Sequence, residues 1–256
     1  MTRAGPWAAW WERWDRFQET YVPGRELQFR LITDYLALLR RDEPLQVLDL
    51  CSGPGSFGSR ILRERPRAQV VAVDYDPWLL ELGRRAAPHG DAIAWVDADL
   101  RAAWTRALPG AAFDAVVATT AMQWFEEDEV VRIYRDVASL LAPGGAFLTS
   151  DLVPRGSAAA RSLAEAATVR WRARAIESPA GDHWADFWAD ARAEPAFSEL
   201  LEERARRLVG RHPLPSRPFA FHETALRASG FAEVSEIWRH SESAIILAQR
   251  RASVGS

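Results

Sequence analysis

From residue 45 to residue 150 the chain alternates short apolar runs with amphipathic segments, and that rhythm admits few folds. A strand covered on both faces reads as a continuous apolar run, and a helix laid over it carries apolar residues three and four positions apart. The runs are Gln46 to Leu50, Gln69 to Val73, Ala92 to Val96, Phe113 to Ala118 and Ala146 to Ser150. Between the fourth and fifth, Val130, Ile133, Tyr134, Val137, Leu140 and Leu141 share one helical face. The stretch Leu141-Ala142-Pro143-Gly144-Gly145 is expected to end that helix in a Pro-Gly-Gly turn ahead of the next strand. The alternation predicts an α/β domain with a mostly parallel sheet and helices on both faces.

Residues 153–215 interrupt this rhythm with an Ala-, Arg- and Trp-rich stretch too long for a simple loop, which predicts a helical insertion. A helix over Glu223 to Ser229, stopped by Gly230, and two strands, Ala232 to Arg239 and Ala244 to Gln249, complete the domain. Ahead of it, Val22-Pro23-Gly24 separates two helices, Trp7 to Thr20 and Arg25 to Leu39. Trp7, Trp10, Trp11, Trp14 and Phe17 put an aromatic stripe on the first of these, suited to plain packing or to a lid whose rings touch a ligand. Residues from Ala252 to Ser256 read as a loose tail.

The segment from Val47 to Gly58 is a strand, a glycine turn and a helix start. Gly53, Gly55 and Gly58 satisfy GxGxxG, and Asp74 closes the second strand, which also matches the dinucleotide fingerprint of a dehydrogenase. Asp49 bears on the choice. A carboxylate at the strand mouth repels a pyrophosphate and attracts an ammonium-bearing amino-acid moiety.

Five segments in order resemble the class I S-adenosylmethionine-dependent methyltransferases. Asp49-x-x-x-Gly53-x-Gly55 is similar to that family's first motif and Val71-Ala72-Val73-Asp74-Tyr75-Asp76-Pro77 to its second. Asp97-Ala98-Asp99-Leu100 is similar to its adenine-contacting segment, Phe113 to Val117 to its fourth strand, and Leu140 to Gly145 to the stretch before its fifth. The resemblance covers residues 21–150 well and the last 35 residues more loosely.

It implies a Rossmann-like, seven-stranded, mostly parallel sheet, with the N-terminal helices in front and the insertion before the last helix and hairpin. It also implies S-adenosylmethionine as cofactor, with S-adenosylhomocysteine as product. Asp74 would take both ribose hydroxyls, and Asp99 with the Leu100 backbone would take adenine. Asp49, Gly53 and Gly55 would hold the methionine part, with Ser52, Tyr75 and Thr119 beside them. Arg25 would pair with the methionine carboxylate, Tyr21 being its weaker companion; Arg25 is otherwise a solvated helix-start residue. Asp97 reads equally as an adenine contact or a cap.

The fourth strand leads into Thr119-Thr120-Ala121-Met122-Gln123-Trp124, whose Met-Gln-Trp resembles a stretch found in trans-aconitate methyltransferases and hints at a small acid acceptor. The expected acceptor contacts are Gln123, Trp124, Trp184 and Trp188. Tyr21, Arg25, Gln123, Trp124 and Trp184 are expected to face one cavity beneath a mobile lid formed by the N-terminal helix and the insertion. His183, His212 and His222 read as surface or capping residues, so no catalytic base is assigned.

The other classes weigh less. The 32 basic residues, all arginine, face 35 acidic ones for a net charge of -3, with no basic block suited to tracking phosphates. Nucleic acid is thus an unlikely partner. One cysteine, Cys51, rules out an internal disulfide framework and a Cys-based zinc site, and no metal is expected. No apolar run approaches the roughly 18 residues of a membrane span, and the start lacks a signal peptide's apolar core. The expectation is a soluble, cytoplasmic single domain, monomeric or homodimeric. Its parts are an N-terminal helical lid over 1–42, a cofactor-binding core over 45–152, the insertion over 153–215, and a C-terminal helix and hairpin over 216–250. It would methylate a small molecule, such as a carboxylate or a secondary metabolite. An NAD-dependent dehydrogenase, a nucleic-acid or protein methyltransferase, and a non-catalytic S-adenosylmethionine-binding protein stand as alternatives.

Overall fold

A computed structural model describes residues 6–39, 44–110, 112–177 and 183–252. The tail past Ala252 and part of the expected N-terminal lid lie outside the described residues. The strands are β1 (Gln46–Leu50), β2 (Gln69–Asp74), β3 (Ile93–Asp97), β4 (Phe113–Thr119), β5 (Leu141–Leu152), β6 (Glu233–His240) and β7 (Ser243–Gln249). They form one seven-stranded sheet in the order β3-β2-β1-β4-β5-β7-β6. The strands from β3 to β5 run parallel, while β7 pairs antiparallel with both β5 and β6. The strand order reverses between β1 and β4, where open α/β sheets leave a crevice at their carboxyl ends.

The helices are α1 (Pro6–Tyr21), α2 (Arg25–Leu39), α3 (Ser56–Glu64), α4 (Pro77–Ala86), α5 (Glu127–Leu140), α6 (Ala158–Ile176), α7 (Trp184–Ala193), α8 (Ser198–Arg207) and α9 (Phe219–Ala228). Local chemistry sets several starts. The Asp76 carboxylate accepts from the Trp78 and Leu79 amides at 3.1 and 3.2 Å, and Pro77 occupies the first turn of α4, where its missing N–H costs nothing. Glu126 and Glu129 form a reciprocal capping box on α5.

Side chains alternate across a strand, so β1 feeds two cores. Leu48 and Leu50 pack with Val130, Ile133 and Tyr134 of α5 and Leu226 of α9. Val47 packs on the opposite face with Phe29 and Ile32 of α2 and Phe57 and Ile61 of α3. A third cluster lies off the sheet and joins Trp11, Trp14 and Phe17 of α1, Trp78 and Leu82 of α4, and Phe187 and Trp188 of α7. Phe17 and Phe187 stack at its centre, with ring centroids 4.4 Å apart.

Two expectations need correction. Leu141 to Gly145 is no turn outside the sheet: β5 starts at Leu141, which pairs with Phe113, and the register then jumps to Ala115 opposite Ala146. The backbone groups freed by that bulge find partners in the chain's end, with the Gly144 amide donating to Arg251 O and the Arg250 amide to Gly145 O. The last helix starts at Phe219, ahead of Glu223, because Pro218 in an extended conformation already begins it.

Candidate cofactor and acceptor site

One cavity of about 620 Å³ opens at the carboxyl edge of the sheet beside the β1/β4 reversal. Ser52, Gly53 and Pro54 of the turn border it, as do Asp74, Tyr75 and Asp76 after β2, Asp99 and Leu100 after β3, and Thr119, Gln123 and Trp124 after β4. Tyr21 and Arg25 enter from the N-terminal helices and Trp184 and Trp188 from the insertion. Most of the residues expected to meet a ligand are thus on one wall. Asp49 and Gly55 are not.

Asp49 shares the α2/α3 face of β1 with Val47, as the two-residue period requires, and lies beneath the turn. Its Oδ2 is buried and finds no hydrogen-bond donor. Burial first, and then the nearby Asp74 carboxylate, push its pKa up to about 8. Gly55 serves the turn in another way. Its φ is +72°, and a Cβ there would lie 2.5 Å from the Trp95 ring, so only glycine fits. The turn is also held from outside, where the Trp11 indole donates to Pro54 O at 2.9 Å. That contact gives the aromatic stripe of α1 a second task beside packing.

Asp74 organises the loops it touches. It accepts from the Gly53 amide at 2.7 Å through Oδ2, and from the Tyr75 and Asp76 amides at 2.7 and 2.8 Å through Oδ1. Burial and the neighbouring Asp76 raise its pKa to about 6 despite these donors. Arg25 is also engaged: it is buried, donates to Asp15 at 2.9 Å, and has its guanidinium 4.5 Å from the Phe29 ring centroid. It is therefore no solvated helix-start residue.

The carboxylates along the β2 and β3 ends meet a row of arginines on and just after α8. Arg204 pairs with Asp76 at 2.5 Å and Arg207 with Asp97 at 2.7 Å. Arg211 donates to both oxygens of Asp99, at 3.1 and 2.6 Å, and lies 4.5 Å from the Tyr75 ring centroid. Burial raises the Asp99 pKa, but the Arg211 hydrogen bonds, the Arg101 amide and the charges of both arginines outweigh it and hold the carboxyl below its ordinary range. The residue expected at adenine is thus oriented by the insertion. Asp97 does not line the cavity; its partner is Arg207.

Asp151 was missed from sequence because it follows the expected end of the fifth strand at Ser150. It lines the cavity and accepts from the Met122 and Leu152 amides at 2.7 and 2.9 Å, which pins the segment after β4. Burial lifts its pKa to about 6 against those backbone donors. Gln28, also unanticipated, hydrogen-bonds the Ser150 hydroxyl and the Pro23 carbonyl and so ties α2 to β5. Of the histidines, His212 lines the cavity, whereas His222 is buried against the Tyr134 hydroxyl at 2.7 Å, where burial lowers its pKa to about 4. Cys51 also lines the cavity, and burial, with the Asp74 and Asp49 carboxylates nearby, pushes its thiol pKa up.

Residues 47–145 match the sequence family described as a methyltransferase domain. Over that core the chain is similar to methyltransferases. It is 29% identical over 221 residues to trans-aconitate 2-methyltransferase of Methylobacterium radiotolerans, covering 86% of this chain and 69% of that one. It is 33% identical over 140 residues to malonyl-[acyl-carrier protein] O-methyltransferase of Halorhodospira halophila, covering 55% of this chain. That match spans only 45% of the relative's own length. Among solved structures, magnesium protoporphyrin IX methyltransferase from Synechocystis PCC 6803 with bound SAH shares the fold, with a TM-score of 0.56 at 16% identity over 94% of each chain. The sheet edge, the N-terminal helices and the insertion together line the cavity, and among the described residues no helix is long and apolar enough to cross a membrane.

Proposed function

We propose that this chain transfers a methyl group from S-adenosylmethionine to a small molecule held in the same cavity. The observation that carries the reading is the continuity of that cavity, which runs from the glycine turn and Asp74 to Gln123, Trp124 and Trp184. Its volume of about 620 Å³ lies within the roughly 300–1,000 Å³ of small-molecule sites. The Asp49 carboxyl beneath the turn favours an ammonium over a pyrophosphate in the cavity above it, by charge and without direct contact. Bound S-adenosylmethionine supplies an electrophilic methyl on a sulfonium centre. The chain's task is then to position the acceptor and exclude water, for which the Trp14, Trp184 and Trp188 rings on the wall are suited. Asp151 holds the segment after β4 at the acceptor side.

Titration calorimetry with S-adenosylhomocysteine and with NAD tests the reading. The expected result is binding of the first and not of the second. Asp74→Ala is expected to abolish the binding, since it removes the ribose acceptor and the anchor of Gly53 together. Tight NAD binding, or Asp74→Ala binding as well as the natural protein, would overturn it.

A further inference from the structure

Three indole N–H groups of the aromatic cluster differ in their surroundings. That of Trp11 donates to Pro54 O at 2.9 Å, on the outer side of the glycine turn. Trp78 is sealed inside the cluster, and its Nε1 is buried with no acceptor. Trp14 is only 8% exposed, with its ring held among Phe17, Trp78, Phe187 and Trp188, yet it lines the cavity. Its N–H has no hydrogen-bond acceptor among the described residues, and the nitrogen is not closed off from the cavity as that of Trp78 is. That nitrogen lies 4.0 Å from the place a Cβ on Gly53 would take, so it stands over the turn.

A rigid donor left unanswered beside a glycine turn calls for an acceptor on the ligand. At the amino-acid end of S-adenosylmethionine only one group qualifies. The ammonium has donors alone, the sulfonium carries positive charge, and the carboxylate is purely an acceptor. Asp49 beneath the turn favours the ammonium on its own side by charge. Arg25 adds positive charge to the same wall, although its Nη1 is engaged by Asp15 at 2.9 Å. We propose that Trp14 is a further cofactor-binding residue, its indole N–H donating to the carboxylate of S-adenosylmethionine. The inference rests on the methyl-transfer reading above and adds to it a contact from outside residues 47–145, the stretch that matches the methyltransferase family. The helix α1 then grips the turn region twice, with Trp11 on the turn itself and Trp14 on the ligand. Fixing the carboxylate limits the swing of the methionine chain and so aims the sulfonium methyl at the acceptor.

The test compares S-adenosylhomocysteine with its decarboxylated analogue on the full chain and on Trp14→Phe, which keeps an aromatic ring in the cluster and removes the N–H. Calorimetry should show S-adenosylhomocysteine weakened about tenfold by the substitution, as for a lost hydrogen bond to a charged group. The decarboxylated analogue should bind the two proteins within about twofold of each other. In the nitrogen-labelled natural protein, the Trp14 indole N–H resonance should move downfield with S-adenosylhomocysteine and not with the analogue, a readout that holds even where the variant fails to fold. Equal affinity of natural protein and variant for S-adenosylhomocysteine overturns the proposal. Equal losses for both ligands reduce Trp14 to packing and overturn it too, as does an indole signal that fails to tell the ligands apart. Each of these leaves the methyl-transfer reading standing. If S-adenosylhomocysteine does not bind the natural protein, that reading and this inference fall together.

Discussion

The two halves of the insertion have similar Ala-, Arg- and Trp-rich compositions and opposite fates. The α7 and α8 half is fastened at both levels: Phe187 and Trp188 lie in the aromatic cluster, and Arg204, Arg207 and Arg211 reach three carboxylates of the sheet edge. In α6, nineteen residues long, only Ala164 is buried, and Leu163 and Val169 are 74% and 64% exposed. A helix gains most of its stability from packing an apolar face, so the α7 and α8 half is a fixed roof and α6 a weakly held flap. The helix α1 belongs with the roof, since Trp11, Trp14 and Phe17 are buried in the same cluster. The difference teaches that arginine and tryptophan content does not make a lid; what decides is whether the rings interdigitate with those of α1 and α4.

The largest expected effect is on folding. Phe187→Ala should cost about 3–5 kcal/mol, because a fully buried ring that stacks on Phe17 leaves a cavity its neighbours cannot fill. Leu163→Ala on the flap should stay within about 0.5 kcal/mol. Urea denaturation of both variants breaks the comparison if the costs are equal. Hydrogen exchange sharpens it: amides over 158–176 should exchange well before those over 184–193.

Next comes the ion-pair row. Arg211→Ala should weaken S-adenosylhomocysteine by roughly 10- to 100-fold, because Asp99 loses the two Arg211 hydrogen bonds and keeps only the Arg101 amide. Arg161→Ala should leave the affinity unchanged, since the side chain of that flap residue donates to the Arg155 and Gly156 carbonyls, away from the cavity. Calorimetry on the two variants decides it, and equal losses would mean that the roof has no special hold on the nucleoside end.

The smallest effect lies beneath the cavity floor, at Asp49. Its pKa in the fold, about 8 against an ordinary 3.8, means that the native state binds this proton more tightly than the unfolded chain. The group therefore favours folding fully below about pH 4, and that contribution is lost as the pH rises through about 8. A ligand ammonium nearby would reverse the preference, so S-adenosylhomocysteine binding at pH 7 should release up to about one proton. Calorimetry in buffers of different ionisation enthalpy reads that release, and Asp49→Asn should abolish it. Release that persists in Asp49→Asn would move its source to another group, with Asp74 the next candidate at about 6.

Much of the fold was legible because it rests on local rules. The five apolar runs became β1 to β5 with their ends displaced by a residue or two, except that β5 absorbed the Pro-Gly-Gly stretch. That exception followed from the C-terminal residues, whose backbone completes the bulge from more than a hundred positions away. At the site, the turn was legible for the same reason: a strand, a positive-φ glycine and a helix start lie within twelve consecutive residues, and Asp74 closes the next strand.

What the sequence determined by itself, then, is the alternation that makes the sheet, the turn at its carboxyl edge, and the placing of Asp74 and Asp99 at the ends of β2 and β3 beside it. These follow from side-chain period and backbone freedom, which act over a few residues. The tertiary structure decided which arginine meets which carboxylate, and that Asp49 lies under the turn and not on the cavity wall. Thirty-two arginines of one chemistry can pair with thirty-five acids in too many ways for spacing to choose. Pairs such as Arg211 and Asp99, 112 positions apart, are selected only when the aromatic cluster has set the roof over the sheet.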